Sequence, residues 1–151
     1  MRVLVDADAC PGRSFIEEAA KSFNVQVILY CDMNHVLNSD YSTVVYVESG
    51  FQNVDMVIAN KAERNDIVVT QDYGVAAMVL GRGAYAVSPR GYIYSNNNID
   101  RLLLERHLSQ KVRKGGGKTT NPKKRTKDDD KSLYESLIKL LRYNSEDTTK
   151  L

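Results

Sequence analysis

The chain has 151 residues, the size of one domain that can bury its own core. Hydrophobic residues make up 42% and charged residues 26%, which is close to the globular average. The N-terminal sequence lacks the basic and apolar regions of a signal peptide, and no apolar run approaches the ~18 residues of a membrane helix. We therefore expect a cytoplasmic protein without a membrane partner, and the two cysteines, Cys10 and Cys31, agree with a reducing compartment.

The net charge of +2 is unevenly distributed. Residues 113–131 hold eight basic and three acidic residues, so the rest of the chain carries a net charge of −3. An acidic body with a basic segment fits a protein that collects cations at one place and phosphates at another. The plainer interpretation is a solvated basic loop, because blocks of like charge are often only solvated.

Short apolar runs that alternate with helical spacings predict an α/β domain over residues 1–112. Such alternation is typical of a parallel sheet with helices on both faces. The sequence predicts five strands at residues 2–5, 25–30, 43–47, 67–70 and 84–87, and helices at residues 14–23, 54–64, 75–80 and 99–112. Ser14 and Glu17 have the spacing of a capping box at the start of the first helix.

The C-terminal part is predicted to be a tethered helix. Residues 113–131 contain three consecutive glycines and no apolar core residue, which indicates a basic flexible linker. Residues 132–143 carry leucines at helical spacing and are expected to dock as a helix on the same domain. Residues 144–151 are predicted to form a frayed tail.

Four aspartates are predicted at the edge of the sheet where the strands end. Asp6 and Asp8 follow the first strand, Asp72 follows the fourth, and Asp55 lies early in the helix after the third. Ligands of open α/β sheets bind beyond the carboxyl ends of the strands. Converging carboxylates repel one another unless a cation offsets their charge, and Mg²⁺ and Mn²⁺ take such oxygen ligands. Asp66 precedes the fourth strand, so it is expected at the opposite edge.

Each of these acids also has a structural interpretation. Asp8 has the position of a turn former or helix cap, because an Asp oxygen accepts backbone N–H groups. Asp55 suits the positive end of a helix dipole, and Asp72 suits the cap of the helix at residues 75–80. Asp-x-Asp alone is a weak motif, so the joint placement carries the functional hypothesis.

The segment Val5-Asp6-Ala7-Asp8-Ala9-Cys10-Pro11 resembles the opening of the bacterial YaiI/YqxD family (UPF0178, DUF188). Further matches are Gly50-Phe51 followed by Asp55, the segment 66–73 with Ala76-Ala77, Pro89-Arg90-Gly91 with Tyr94, and Arg106. That family is grouped with PIN-like nuclease domains. The resemblance implies a PIN-like three-layer αβα sandwich with a five-stranded parallel sheet, followed by the C-terminal helix after the basic linker. It also implies a metal-dependent RNA-cleaving site in which Asp6, Asp55 and Asp72 are the acids and Asp8 is a natural fourth.

The chain departs from the family pattern at two places. Many members carry an Asp where this chain has Gln52, which removes one potential acid. Members also tend to have a Gly-Pro-Pro-Pro-Phe segment after the long helix, where this chain reads Gly117-Lys118-Thr119-Thr120-Asn121-Pro122. Whatever the proline-rich segment does in relatives is therefore in doubt here.

The first functional hypothesis is an Mg²⁺- or Mn²⁺-dependent ribonuclease or phosphodiesterase. Asp6, Asp8, Asp55 and Asp72 would hold the metal and act in catalysis. The RNA backbone would be bound by the basic residues Arg13, Arg90, Arg106, Arg113 and Lys114, each of which is also an ordinary surface charge.

The alternative is a non-catalytic PIN-like module that binds RNA or a protein, which Gln52 in place of an acid favours. A toxin-like translation regulator ranks below both, because the sequence offers no antitoxin-binding signature. Assembly as a homodimer is left open.

Overall fold

The computed structural model describes residues 1–33, 36–48, 53–116 and 124–149. The strands are β1 (Arg2–Asp6), β2 (Gln26–Asp32), β3 (Thr43–Val47), β4 (Ile67–Val69), β5 (Tyr85–Val87) and β6 (Ile93–Tyr94). The helices are α1 (Arg13–Ser22), α2 (Val54–Lys61), α3 (Tyr73–Gly81), α4 (Asn96–Lys114) and α5 (Lys127–Thr149), with a short 3-10 turn at Ala7–Ala9. None of these described helices combines the length and apolar character that a membrane crossing requires.

The strands form one sheet in the order β3-β2-β1-β4-β5-β6. The first five strands in this order pair in parallel, and β6 pairs antiparallel with β5 at the edge. The sheet therefore has six strands rather than the predicted five. Strand β6 escaped prediction because it has only two residues, Ile93 and Tyr94, which form no apolar run.

Helices cover both faces of the sheet, which confirms the predicted three-layer α/β architecture. Alternate residues of β1 point to opposite faces, so Val3 and Val5 pack on one side and Leu4 on the other. Buried residues of α1 and α5 share the side of Val3. Buried residues of α2, α3 and α4 share the side of Leu4.

Helix α5 is part of the core and is longer than the sequence suggested. Its stripe of leucines is buried with residues of the sheet and α1: Leu133, Leu137, Leu140 and Leu141. The helix begins at Lys127 rather than at residue 132 and continues to Thr149 rather than ending at residue 143. Thr126 and Asp129 explain the earlier start, because each side chain accepts the backbone N–H of the other as in a capping box. Residues 117–123 of the predicted linker and residues 150–151 of the predicted tail lie outside the described residues.

The start of α1 also differs from the prediction. The helix begins at Arg13 with Gly12 as its N-cap residue and without a side-chain cap. A Cβ at Gly12 would lie 2.6 Å from the Arg125 guanidinium, so a larger residue there would displace the Arg125 side chain. Glu17, the predicted capping partner, instead accepts hydrogen bonds from Ser39 (2.5 Å) and from Ser42 (3.0 Å).

The chain reverses its direction of sheet growth at β1. Strands β2 and β3 extend the sheet on one side of β1, and the chain then returns to place β4 on the other side. In open α/β sheets, a crevice forms at such a switch point beyond the carboxyl ends of the strands. Here the crevice lies between the ends of β1 and β4.

Candidate functional site

The two sides of the crevice are joined by a hydrogen bond. Strand β1 ends at Asp6 and runs into the 3-10 turn at Ala7–Ala9, while β4 ends at Val69 and is followed by Thr70, Gln71 and Asp72. The Gln71 side-chain amide donates a hydrogen bond of 2.7 Å to the Ala9 carbonyl. The 3-10 turn and the segment after β4 are therefore held in a fixed relation.

Asp6 is the acid at the centre of this edge. Partial burial raises its pKa from 3.8 to about 7, helped by a hydrogen bond with the Asp55 carboxyl and by the charges of Asp55 and Asp8. A hydrogen bond from the backbone N–H of Asp8 opposes this rise in pKa. The Oδ1 atom of Asp6 is buried without a hydrogen-bond partner. The Asp6 carboxyl therefore keeps its proton until near neutral pH, and its Oδ1 atom makes no hydrogen bond.

Asp55 reaches Asp6 from the first turn of α2. The N-cap of this helix is Asn53, whose side-chain oxygen accepts the Met56 N–H at 2.9 Å. Because Asn53 already caps the helix, the Asp55 carboxyl is not needed for that purpose. Its position in the first turn still suits the helix dipole, so the predicted structural interpretation and the contact with Asp6 coexist.

Asp8 is exposed and ties the 3-10 turn to β2. Its Oδ2 atom accepts the backbone N–H of Asp32 at 3.0 Å, at the end of β2. The carboxylate therefore has a turn-like structural role, although on β2 rather than at a helix start. Its charge also contributes to the raised pKa of Asp6, so the structure brings Asp6, Asp8 and Asp55 together.

Asp72 has different partners. Its Oδ1 atom accepts the Val75 N–H at 3.0 Å and caps α3, which confirms the structural interpretation made for it. The same oxygen lies 3.9 Å from a guanidinium nitrogen of Arg106 on α4. Asp72 therefore stands on the β4 side of the crevice with a cation beside it.

The other predicted basic residues lie on separate elements. Arg13 is the first residue of α1 and is half-buried. Burial raises the pKa of the Cys10 and Cys31 thiols, and the positive charge of Arg13 opposes that rise. Arg90 is exposed in the turn between β5 and β6, and Arg113 and Lys114 are exposed in the last turn of α4. The structure therefore places Arg106 beside Asp72 and the other cations on separate elements.

The donor set at this edge suits a hard cation only in part. No group of three His, Cys, Asp or Glu side chains within the described ranges is arranged so that it could hold a metal ion. Asp6 and Asp55 nevertheless form a close pair of oxygen donors, and the buried Oδ1 of Asp6 makes no hydrogen bond. Mg²⁺ commonly binds through one or two carboxylates and completes its shell with water and substrate phosphate. Gln52, which stands where many relatives have an acid, lies outside the described residues.

Sequence reasoning missed Arg125, a residue of the predicted linker. Its Nη1 atom donates to the Pro89 carbonyl at 2.6 Å, and its Nη2 atom lies 2.7 Å from Asp130. It thereby fastens the start of α5 to the loop after β5. The Thr-x-x-Asp spacing at Thr126 was the signal that this part of the basic segment is ordered.

A family model described as an uncharacterised YaiI/YqxD family matches residues 4–143. A UPF0178 protein of Clostridium tetani is 65% identical over 141 residues, which cover 93% of this chain and 97% of that protein. A UPF0178 protein of Ruminiclostridium cellulolyticum is 49% identical over 146 residues, covering 97% and 95%. The crystal structure of Rae1 (YacP) from Bacillus subtilis (W164L mutant) is 18% identical with a TM-score of 0.48, covering 99% of each chain. At that level of similarity neither fold nor function transfers.

Proposed function

The chain belongs to the YaiI/YqxD family, and we propose that it is a metal-dependent phosphodiester hydrolase of PIN-like type that acts on RNA. The observation that carries the proposal is the Asp6–Asp55 carboxyl pair at the switch point of the sheet. Two acids in hydrogen-bond contact, one with a buried unpartnered oxygen, are costly for an apo protein. Such arrangements are concentrated at functional sites.

In this proposal Asp6 and Asp55 hold Mg²⁺ or Mn²⁺, and Asp8 acts directly or through water. When bound, either ion lowers the pKa of coordinated water and offsets the charge that develops on phosphate. Asp6 must release its proton to bind a cation, so binding is expected to strengthen as the pH rises above about 7. One of the carboxylates is then available as a general base toward the attacking water.

Arg106 and Asp72 form the opposite wall. The guanidinium of Arg106 is half-exposed and lies 3.9 Å from Asp72, so it can reach a phosphate that approaches the crevice. Arg13, Arg90, Arg113 and Lys114 extend the positive surface along which an RNA backbone would lie. Asp72 orients Arg106 and caps α3, and its direct part in metal binding remains a proposal.

The test is Mn²⁺- or Mg²⁺-dependent cleavage of a mixed pool of single-stranded RNA. Asp6→Asn and Asp55→Asn are expected to lower the rate by at least about 100-fold, as loss of a site that positions charge does. Asp100→Asn, an exposed acid on α4, is the matched control and should cleave like the wild type.

A second measurement separates metal binding from cleavage. Mn²⁺ should raise the melting temperature of the wild type and of Asp100→Asn, because a ligand that binds only the folded state stabilises it. The same addition should leave Asp6→Asn unchanged. Equal residual cleavage in wild type and Asp6→Asn, or equal stabilisation by Mn²⁺, would refute the hydrolase.

A non-catalytic RNA- or protein-binding module is the second candidate. It is favoured because the described residues hold no group of three metal-ligating side chains, and because Arg106 already balances the charge of Asp72. On this hypothesis RNA binds with the same affinity with or without Mn²⁺, and no variant of Asp6 changes it. If the protein is a metal-dependent hydrolase, both Mn²⁺ and substitution of Asp6 should change the affinity for RNA.

A further inference from the structure

A cavity of about 450 Å³ opens at the carboxyl ends of β4 and β5. Gln71 and Tyr73, which flank Asp72 in the chain, line it together with Pro11, which follows the 3-10 turn. Its volume falls within the range of roughly 300–1,000 Å³ that is typical of small-ligand sites. The cavity and the Asp6–Asp55 pair therefore share the same edge of the sheet.

One wall of the cavity is a chain of three tyrosine rings. Tyr94 is buried, and its hydroxyl donates to the Thr70 carbonyl at 3.2 Å. Tyr73 and Tyr92 pack edge to face against it, with ring centroids 5.8 Å and 5.7 Å from that of Tyr94. Tyr92 is 42% exposed, so an aromatic ring on a rigid base is presented to solvent.

The loop that carries Tyr92 is fixed from both sides. The Ser88 hydroxyl accepts the backbone N–H groups of Arg90 (3.2 Å) and Tyr92 (3.0 Å). Gly91 has a φ of +88°, a Cβ there would overlap the backbone of Ser132 on α5, and its carbonyl accepts the Ser136 hydroxyl. The cavity is therefore formed before any ligand arrives, which lowers the ordering cost of binding.

Arginines supply the charge of the cavity, and its described lining includes no Asp or Glu. Arg125 is committed to Pro89 and Asp130. Arg101 has a side chain 65% exposed; its Nε atom lies 3.8 Å from the exposed Glu105 carboxylate, and its Nη2 atom lies 3.4 Å from the Tyr92 hydroxyl. Arg90 lines the same mouth. An exposed ring beside guanidinium groups selects a flat, anionic ligand.

We propose that this cavity binds one unpaired nucleotide of a single-stranded RNA. The base stacks on Tyr92, and Arg101 and Arg90 hold its phosphate. Duplex bases are already stacked on each other and cannot enter, so the cavity would select single strands. The inference rests on the proposed function for its choice of RNA. Because Gln71 and Tyr73 flank Asp72, the strand would continue from the cavity toward the acidic pair.

The test measures the anisotropy of a fluorescein-labelled oligouridylate in a buffer with chelator, so that binding is read without cleavage. Tyr92→Ala should weaken binding by roughly 5- to 150-fold, the effect of losing one base–aromatic stack. Tyr92→Phe keeps the ring and should bind like the wild type. Arg101→Gln should weaken binding and lower the slope of log affinity against log salt by about 1.

Tyr143→Ala is the matched control. Tyr143 is also an exposed tyrosine, but it lies on α5 near the opposite edge, since the neighbouring Asn144 bonds to the Asn65 carbonyl before β4. It should leave RNA binding unchanged. Thermal melting of each variant checks that the fold is intact. If Tyr92→Ala does not fold, Arg101→Gln, with Tyr92→Phe as its control, still tests the inference.

Equal affinity of Tyr92→Ala and Tyr143→Ala would overturn the inference. A blunt RNA duplex that binds as tightly as the single strand, or free UMP that binds as tightly as the oligomer, would do so as well. Cleavage is scored separately. A chain that never cuts RNA yet loses binding with Tyr92→Ala supports this inference and refutes the proposed hydrolase.

Discussion

An aspartate that is shielded from solvent lies at each end of the parallel strands, and the two aspartates have different surroundings. Where the strands begin, Asp66 is almost fully buried and accepts hydrogen bonds from the Arg2 backbone N–H (3.0 Å), the Arg2 guanidinium (2.7 Å) and the Glu63 N–H (2.9 Å). Where the strands end, Asp6 meets the carboxyl of Asp55, and its Oδ1 has no partner.

The difference separates a structural acid from a functional one. Buried polar groups are normally satisfied, and an acid with cationic and N–H partners lowers the free energy of the folded chain. An acid placed against another acid raises that free energy, so the arrangement needs another reason to exist. Residue type and burial alone do not distinguish Asp66 from Asp6, whereas their partners do.

The largest expected effect is at the edge where the strands begin. Asp66→Ala should lower the free energy of unfolding by about 3–5 kcal/mol, because it leaves the Arg2 guanidinium and two backbone N–H groups without their acceptor. Urea denaturation at neutral pH measures it. Asp66→Asn, which keeps one acceptor oxygen, should lose less. A loss under about 1 kcal/mol for Asp66→Ala would contradict a structural role.

Where the strands end, we expect replacement of the aspartate to stabilise the fold rather than to destabilise it. The pKa of Asp6 is raised from 3.8 to about 7, so between these pH values the folded protein keeps a proton that the unfolded chain releases. The stability that this group contributes is therefore full below about pH 4 and is lost as the pH rises to about 7. Asn cannot ionise, so Asp6→Asn should gain stability relative to the wild type over that interval.

After allowance for solvent screening of a half-buried group, the gain should be about 1–3 kcal/mol. Urea denaturation in chelator at pH 5 and at pH 8 measures it for wild type and Asp6→Asn. Asp100→Asn serves as the control and should show the same difference from wild type at both pH values. A pH-independent effect of Asp6→Asn would contradict the raised pKa of Asp6.

The assignment of aspartates to the two edges was accessible from sequence. Asp6 directly follows an apolar run and Asp66 directly precedes one, so the direction of parallel strands assigns them to opposite edges. The contact between Asp6 and Asp55 needed more, since Asp55 lies on a helix and its orientation depends on how α2 packs. Its candidacy came from the resemblance to a family and from the rule for sheet edges.

The features that escaped prediction depend on contacts between distant segments. Strand β6 is too short to show the alternation of apolar and polar residues that predicts a strand. It forms because Tyr94 pairs with Ala86 and packs against Tyr73. The cavity lined by Tyr73, Tyr92 and Tyr94 joins residues from α3, the loop after β5, β6 and α4, which no local pattern connects. The early start of α5 had a local signal in Thr126 and Asp129, but the charge and glycines of the preceding segment obscured it.

The smallest expected effect concerns the second Arg–Asp pair. Arg106 and Asp72 lie 3.9 Å apart with side chains 49% and 32% exposed, whereas Arg2 and Asp66 lie 2.7 Å apart with Asp66 buried. Because an exposed pair contributes only about 0.2–1 kcal/mol, Arg106→Gln should change the free energy of unfolding by less than about 1 kcal/mol. Its effect should appear in RNA binding instead, as a slope of log affinity against log salt that is shallower by about 1.

Lys111→Gln, on the same helix, is the control that keeps the wild-type slope if Arg106 is the phosphate contact. If Arg106→Gln destabilises the fold as much as Asp66→Ala, or if both α4 variants have the wild-type salt slope, Arg106 is a structural partner of Asp72, and the two Arg–Asp pairs are of one kind.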